Sequence, residues 1–216
     1  MTNTFLRNDA TFAAIGSGDV SGGLQAANNL SDVASASTSR TNLGVAYGEQ
    51  SIFVPGAAIR PAVGSAAAGP NTTETGTNLV DMTGLDFIAA STTIGQFSIT
   101  MPKSWDLGAI SWFYRFYQLA NATGNVVFQL QGIALSDGAS ADQPWGGAVN
   151  LVTAGGAGGN IYKSAEQSVT FVGTPAADCL VAFRVYRNIG AFDTLASTVR
   201  LLGLRIKYNT NANNDT

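Results

Sequence analysis

Gln96-Phe97-Ser98-Ile99-Thr100-Met101 alternates polar and apolar side chains without a break, and Pro102 follows it. A strand turns successive side chains to opposite faces, so a period of two marks a strand with one face in a core. Proline lacks the amide hydrogen that a ladder uses, which closes the run. From Ser51 onward the same period recurs at residues 109–119, 125–136, 147–153, 167–173, 178–188 and 198–208, with weaker runs near 51–54 and 84–90. Turn formers separate the runs, as in Asn121-Ala122-Thr123-Gly124-Asn125 and Thr174-Pro175-Ala176-Ala177-Asp178. About eight strands at this spacing predict an all-β fold, an antiparallel β-sandwich of jelly-roll type. No repeat of fixed period is present, which argues against a β-helix or propeller. Residues 55–78, with Pro55, Gly56, Pro61 and Gly64-Ser65-Ala66-Ala67-Ala68-Gly69-Pro70, read as a long loop or arm. A loop of that length packs on something or functions.

The run 109–119 is apolar on both faces. Ile110, Trp112, Tyr114 and Phe116 point one way; Phe113, Arg115, Tyr117 and Leu119 point the other. Residues 178–188 repeat the pattern, with Cys179, Val181, Phe183 and Val185 on one face and Leu180, Ala182, Arg184 and Tyr186 on the other. In 199–208, Arg205 and Lys207 fall in line with Val199, Leu201 and Gly203. A solitary antiparallel sandwich shows water a polar face. Two explanations are open. Either a neighbouring subunit covers the second face, with Arg115, Tyr117, Phe113, Arg184 and Tyr186 at the contact, or loops such as 55–78 cover it within one chain.

The chain has 216 residues, enough for one substantial domain with an appendage, divided as 1–50 and 51–216. Charged residues make up 12%, about half the usual share. Apolar residues reach 45%, too many for a disordered chain. The surface therefore falls to Ser, Thr, Asn, Gln and Gly, which suits packing against copies of itself. A net charge of −3, a pI near 4.7 and scattered basic residues argue against nucleic acid. Cys179 is the only cysteine, so no internal disulfide forms, and its apolar neighbours predict a buried thiol. No apolar run nears the ~20 residues of a membrane helix, so no membrane insertion is expected. No basic-then-apolar amino terminus marks a secretory signal, which predicts synthesis in a cytoplasm.

The chain contains no histidine. That removes Ser-His-Asp and Cys-His nucleophile systems and imidazole metal ligands, and no cofactor is predicted. Gly155-Gly156-Ala157-Gly158-Gly159 lacks a following Lys-Ser/Thr and reads as a flexible hairpin tip, not a phosphate loop. Asp137 and Asp142 share a loop that calcium would accept, though a solvated turn accounts for them as well. No pair of acids is singled out for glycoside hydrolysis. Trp145, in Gln143-Pro144-Trp145-Gly146-Gly147, is the loop aromatic best placed to stack on a sugar, with Asp142 and Gln143 supplying hydrogen bonds; it would otherwise plug the end of the sandwich. Trp105 offers a weaker version of the same case.

The amino-terminal part carries Phe5-Leu6-Arg7-Asn8-Asp9-Ala10-Thr11-Phe12, Gly18-Asp19-Val20-Ser21-Gly22, Asn28-Asn29-Leu30-Ser31-Asp32-Val33 and Arg40-Thr41-Asn42-Leu43-Gly44-Val45. In this order they resemble the joining segments of tailed-bacteriophage fibre and spike proteins, which carry FLRGDGT-like, GDVTG-like and NNLSDLxxxxTARTNLGL-like stretches. Asn8 and Ala10 stand where that family has glycine. Residues 1–23 read as extended chain and turns that order against another protein, and 31–43 as a short helix begun by Ser31 or Asp32 and ended at Gly44. The resemblance implies a virion protein, a homotrimer docked on another virion component, with Phe5, Leu6, Leu30, Val33 and Leu43 as attachment residues. It implies a tail fibre or spike adhering to the host, with a bacterial surface glycan as a partner. A head fibre or capsid-decoration protein fits the same motifs; the lack of repeats and of a defined carboxylate pair counts against a polysaccharide-degrading enzyme.

Overall fold

The structure is a computed structural model that describes residues 4–6, 12–14, 35, 38, 39, 48–66 and 69–211. The chain divides into two compact units, Met1–Ala46 and Tyr47–Thr216. In the first unit β1 (Thr4–Leu6) pairs antiparallel with β2 (Phe12–Ala14), Thr4 opposite Ala14. The expected extended chain is thus present at these six positions, each strand partnering the other. Thr38 and Ser39 are helical, and the Ser39 amide donates to the Ser35 carbonyl at 3.0 Å. The rest of the predicted helix, with Leu30, Val33 and Leu43, lies outside the described residues.

The second unit contains β3 (Glu49–Pro55), β4 (Arg60–Pro61), β5 (Pro70–Glu74), β6 (Asp81–Phe87), β7 (Thr93–Thr100), β8 (Ile110–Gln118) and β9 (Gly124–Leu135). It continues with β10 (Leu151–Gly155), β11 (Ile161–Lys163), β12 (Gln167–Val169), β13 (Val172–Gly173), β14 (Leu180–Arg187) and β15 (Val199–Asn209). Sheet I runs β11-β8-β15-β6-β5, with β12 also on β8 and β3 also on β15. Sheet II runs β10-β9-β14-β7-β4, with β13 also on β9. All pairings are antiparallel except β13 with β9. From β3 onward the chain changes sheet eight times: β3 to β4, β4 to β5, β6 to β7, β7 to β8, β8 to β9, β10 to β11, β12 to β13 and β14 to β15. This is the antiparallel, jelly-roll sandwich expected from the alternation.

Inward side chains of both sheets make one core. Trp112, Tyr114 and Phe116 of β8 meet Phe128 and Leu130 of β9, Val181, Phe183 and Val185 of β14, and Leu204 and Ile206 of β15, all buried. Edge-to-face and tilted rings dominate, with Phe87 4.9 Å and Tyr114 4.7 Å from Phe128. Tyr114 carries its hydroxyl into this core because the group is satisfied across the sheets, donating to the Leu151 carbonyl and bonding Thr153 Oγ1 at 2.7 Å. Burial pushes its pKa far above the ordinary phenol value. Cys179 is buried, as its neighbours predicted.

Four expectations change. Residues 55–78 are not a free arm: β4 pairs with β7 and β5 with β6. β5 carries no apolar alternation because polar cross-strand bonds hold it, Asn71 Nδ2 to Asp86 at 2.8 Å and Thr72 to Thr83 at 2.8 Å. The run 167–173 splits into β12 on sheet I and β13 on sheet II, and Phe171 at the crossing packs on Trp105 and Phe183. Gly132 makes room for that ring, since a Cβ there would lie 2.5 Å from it. In β15 the register shifts between Leu201 and Gly203. This bulge leaves Val199 and Leu201 in the core while Arg205 and Lys207 turn outward, so the two sets share no face. The Gly155–Gly159 segment joins the two sheets and is pinned, not a free hairpin tip. Buried Gln118 donates to the Ala120, Ala122 and Gly156 carbonyls and accepts the Gly156 amide.

Candidate functional site

The site is built on the outer face of sheet II. Along β9 the inward side chains Val126, Phe128 and Leu130 alternate with outward Gln129 and Gln131, and both glutamines are buried because the β9–β10 connection folds over them. Gln131 Nε2 donates to the Gly146 carbonyl, and Gln129 Nε2 to Asn150 Oδ1. Within the connection the Asp142 amide donates to Ser140 Oγ at 3.2 Å and Gln143 Nε2 to the Ser140 carbonyl at 2.9 Å. Ser136 Oγ donates to the Thr174 carbonyl at 2.6 Å. Gly146 packs so closely that a Cβ would lie 2.8 Å from Val172.

Arg184, on β14 opposite Gln131, ties the loop to the sheet. Its Nε donates to Gln131 Oε1 at 2.9 Å, and Nη2 donates to the same oxygen. Its guanidinium carbon lies 4.8 Å from the Trp145 ring centre and 5.5 Å from that of Tyr186. A guanidinium over an aromatic face is attractive, so Trp145 is braced and not free to swing. Burial raises the pKa of Tyr186, with Arg184 opposing it.

Trp145, Gln143 and Asp142 form one wall of a groove of about 590 Å³. Arg60–Val63 form the opposite wall, and Gln96, Ser98, Ile133, Leu135, Leu180 and Ala182 lie between them. Three sequence-chosen ligand residues therefore converge, and Arg184 and Tyr186, chosen as contact residues, stand behind them. Gln131 and Arg60 escaped sequence reasoning. The two glutamines at alternate positions of an otherwise apolar run were the available signal.

The groove suits ring stacking and hydrogen bonding. Asp142 is the one carboxylate among its described lining residues, whereas glycoside hydrolysis calls for two. Among the described residues no three His, Cys, Asp or Glu side chains gather to hold a metal ion, and Asp137 and Asp142 are both exposed. Trp105 is fully buried, its ring edge-on to Phe171, and cannot stack on a sugar.

Phe113, Arg115 and Tyr117 lie on the outer face of sheet I, on the opposite side of the sandwich from Arg184 and Tyr186, so no single contact surface holds all five. Phe113 and Tyr117 are 9% and 8% exposed in the single chain, so neither needs a neighbouring subunit to cover it. Phe5 and Leu6 sit on β1 in the first unit.

No protein family matches the chain, and no curated protein matches it in sequence. Solved structures match it at low identity and low TM-score. A CBM35 domain from Cellvibrio japonicus Abf62 has a TM-score of 0.38 at 11% identity, covering 76% of this chain and 99% of its own. TmCBM27, a carbohydrate-binding module known for specific mannan recognition, has 0.37 at 8%, covering 74% and 99%. The CBM36-1 domain of a multidomain xylanase from the hindgut metagenome of Trinervitermes trinervoides has 0.36 at 10%, covering 73% and 96%. Likeness at these scores decides neither ligand nor site.

Proposed function

We propose that this chain is a non-enzymatic virion protein, a trimeric tail fibre or spike whose sandwich adheres to a bacterial surface glycan. The groove carries the binding half of this reading: Trp145 is held by Arg184 and Gln131 beside the polar ends of Gln143, Asp142 and Gln96. The motifs in residues 5–45 support the virion half. One shallow groove binds a sugar chain weakly, and threefold presentation on a many-copy particle turns weak contacts into durable attachment. Replacing Trp145 with Ala removes the stacking surface. It should weaken attachment of particles to host cells, and binding of the purified chain to host surface polysaccharide, by about tenfold or more. Unchanged attachment and binding, with an unchanged melting temperature, would leave Trp145 a structural residue and remove the groove from the function.

A further inference from the structure

Among the described residues, three cations on the outer face of sheet I, Arg115, Lys163 and Arg205, form no ion pair, although Glu166 lies within electrostatic reach of Lys163. Arg115 on β8 stands directly opposite Lys163 on β11, and like charges in that relation are unfavourable. Arg205 on β15 stands opposite Phe113, one pair further along. Among the described residues no carboxylate forms an ion pair with any of the three. The acids of this face are already engaged: Glu49 and Glu166 both pair with Lys207, at 2.5 and 2.9 Å, and Asp86 pairs with Arg200 at 2.7 Å. Two of these cations rest on an aromatic ring. Lys163 Nζ lies 4.6 Å and the Arg115 guanidinium 5.4 Å from the Phe113 ring centre. Among the described residues Arg205 donates to the Ser51 hydroxyl at 3.0 Å.

Beside them lies an open ring. Phe53 on β3, opposite Arg205, is 51% exposed. Its ring covers Gly203, where a Cβ would lie only 2.6 Å away. A glycine at the bulge thus lets an aromatic lie on the sheet beside cations that form no ion pair among the described residues, on a chain whose net charge is −3.

We propose that this face binds a uronate-bearing polysaccharide, with Arg115 and Lys163 taking the sugar carboxylates and Phe53 stacking on a sugar ring. A contact between copies fits less well. With Phe113 and Tyr117 covered, Phe53 and Ile161 are the open large apolar side chains of the face. A stable subunit contact buries about 800 Å² per partner around an apolar centre. An axis through this patch would also bring its cations together.

The test is calorimetric titration of the full chain, in low salt, with polygalacturonate, with the same polymer fully methyl-esterified, and with inorganic polyphosphate. Polygalacturonate should bind and the ester should not. The pair Arg115→Gln with Lys163→Gln should weaken binding about tenfold or more, as expected for lost hydrogen bonds to charged groups. Phe53→Ala should weaken it as well. Trp145→Ala on the same polymer separates this surface from the groove: a loss there as large as that of the double variant, with the double variant itself unaffected, would place the polymer in the groove and overturn the proposal. Binding of the ester as tight as that of the acid, or unchanged affinity in the double variant, overturns the proposal. So does polyphosphate binding with no effect of Phe53→Ala, which would indicate charge alone, and so does a change in sedimentation of the double variant without a change in binding, which would indicate a contact between copies.

Discussion

Asp193→Ala tests how the carboxyl end of β14 is held. Arg187, on the core side of that strand, is fully buried, yet each of its five N–H donors has an acceptor within the chain. Nε and Nη2 grip the two Asp193 carboxylate oxygens at 2.8 and 2.7 Å. Nη2 also donates to the Leu195 carbonyl, and Nη1 to the Ser197 and Phe87 carbonyls. The Asp193 side chain is 3% exposed and also accepts the Val127 amide at 3.0 Å. Deleting the carboxylate orphans two guanidinium donors and one amide, and leaves a buried cation without its anion. Removing one partner of such a pair costs about 3–5 kcal/mol. For a unit of this size a kilocalorie moves the melting temperature about 2–4 °C, so the loss should be roughly 6–20 °C. Differential scanning calorimetry would measure it, with Asp193→Asn falling between the two because one acceptor oxygen remains. Arg187→Met combined with Asp193→Ala should recover part of the loss, since no charge is then stranded. A drop under about 3 °C for Asp193→Ala would refute the reasoning, because water would then be solvating Arg187 in place of the carboxylate.

Two further outcomes follow from the outer face of sheet I. Gly203→Ala puts a Cβ 2.6 Å from the Phe53 ring and 2.7 Å from the Val54 carbonyl oxygen, so it should cost about 1–3 kcal/mol in urea unfolding and weaken polygalacturonate binding by displacing the ring. Unaltered stability and binding would show that the ring does not depend on that close approach. Glu166 has its pKa held below the ordinary 4.5 by the Ser111 hydroxyl and Lys207. A depressed carboxylate pKa contributes stability above the unfolded value, and that contribution is lost as pH falls through the folded one. Glu166→Gln should therefore melt below wild type at pH 7, with the gap narrowing as the pH falls below the ordinary 4.5 and through the lowered folded value. A gap that stays constant to pH 2.5 would rule the linkage out.

The strands were legible wherever one face is apolar and the other polar, as in β7, where Phe97 and Ile99 turn inward and Gln96, Ser98 and Thr100 turn out. β5 was invisible because Asn71, Thr72 and Thr73 pair through polar groups, and no hydrophobic period records such a strand. The bulge in β15 was invisible for a different reason. Period-two reading assumes an unbroken pleat, and Leu201-Leu202-Gly203 contains an extra residue that reverses the parity of everything after it. The double-sided apolar pattern of β8 was legible, but its cover was not. Lys163 and Arg205 lie over or beside Phe113 from strands 50 and 92 residues further on (163 − 113 and 205 − 113), and only the ladders bring them there. Trp145 was legible as a loop aromatic from its proline and glycines. Which strand residue would meet it was not, because alternation gives Arg184 a face and says nothing of the loop that folds across that face.

An arginine two positions from a tyrosine occurs in both β8 and β14, and the cross-strand neighbour decides what each does. Arg184 faces Gln131, whose amide oxygen takes two of its donors, so its charge is spent on holding Trp145 and the groove wall. Arg115 faces Lys163, which can accept nothing, so its guanidinium rests on the Phe113 ring and forms no ion pair among the described residues. The same local sequence therefore yields a brace on one side of the sandwich and an open cationic surface on the other. The two lie back to back. A threefold assembly of the kind implied by the resemblance of residues 5–45 can leave both faces in water only if its contacts fall at the sheet edges or in the amino-terminal unit. Substitutions at Arg115 and Arg184 should then change ligand binding without changing the number of chains, and a subunit contact on either face predicts the reverse.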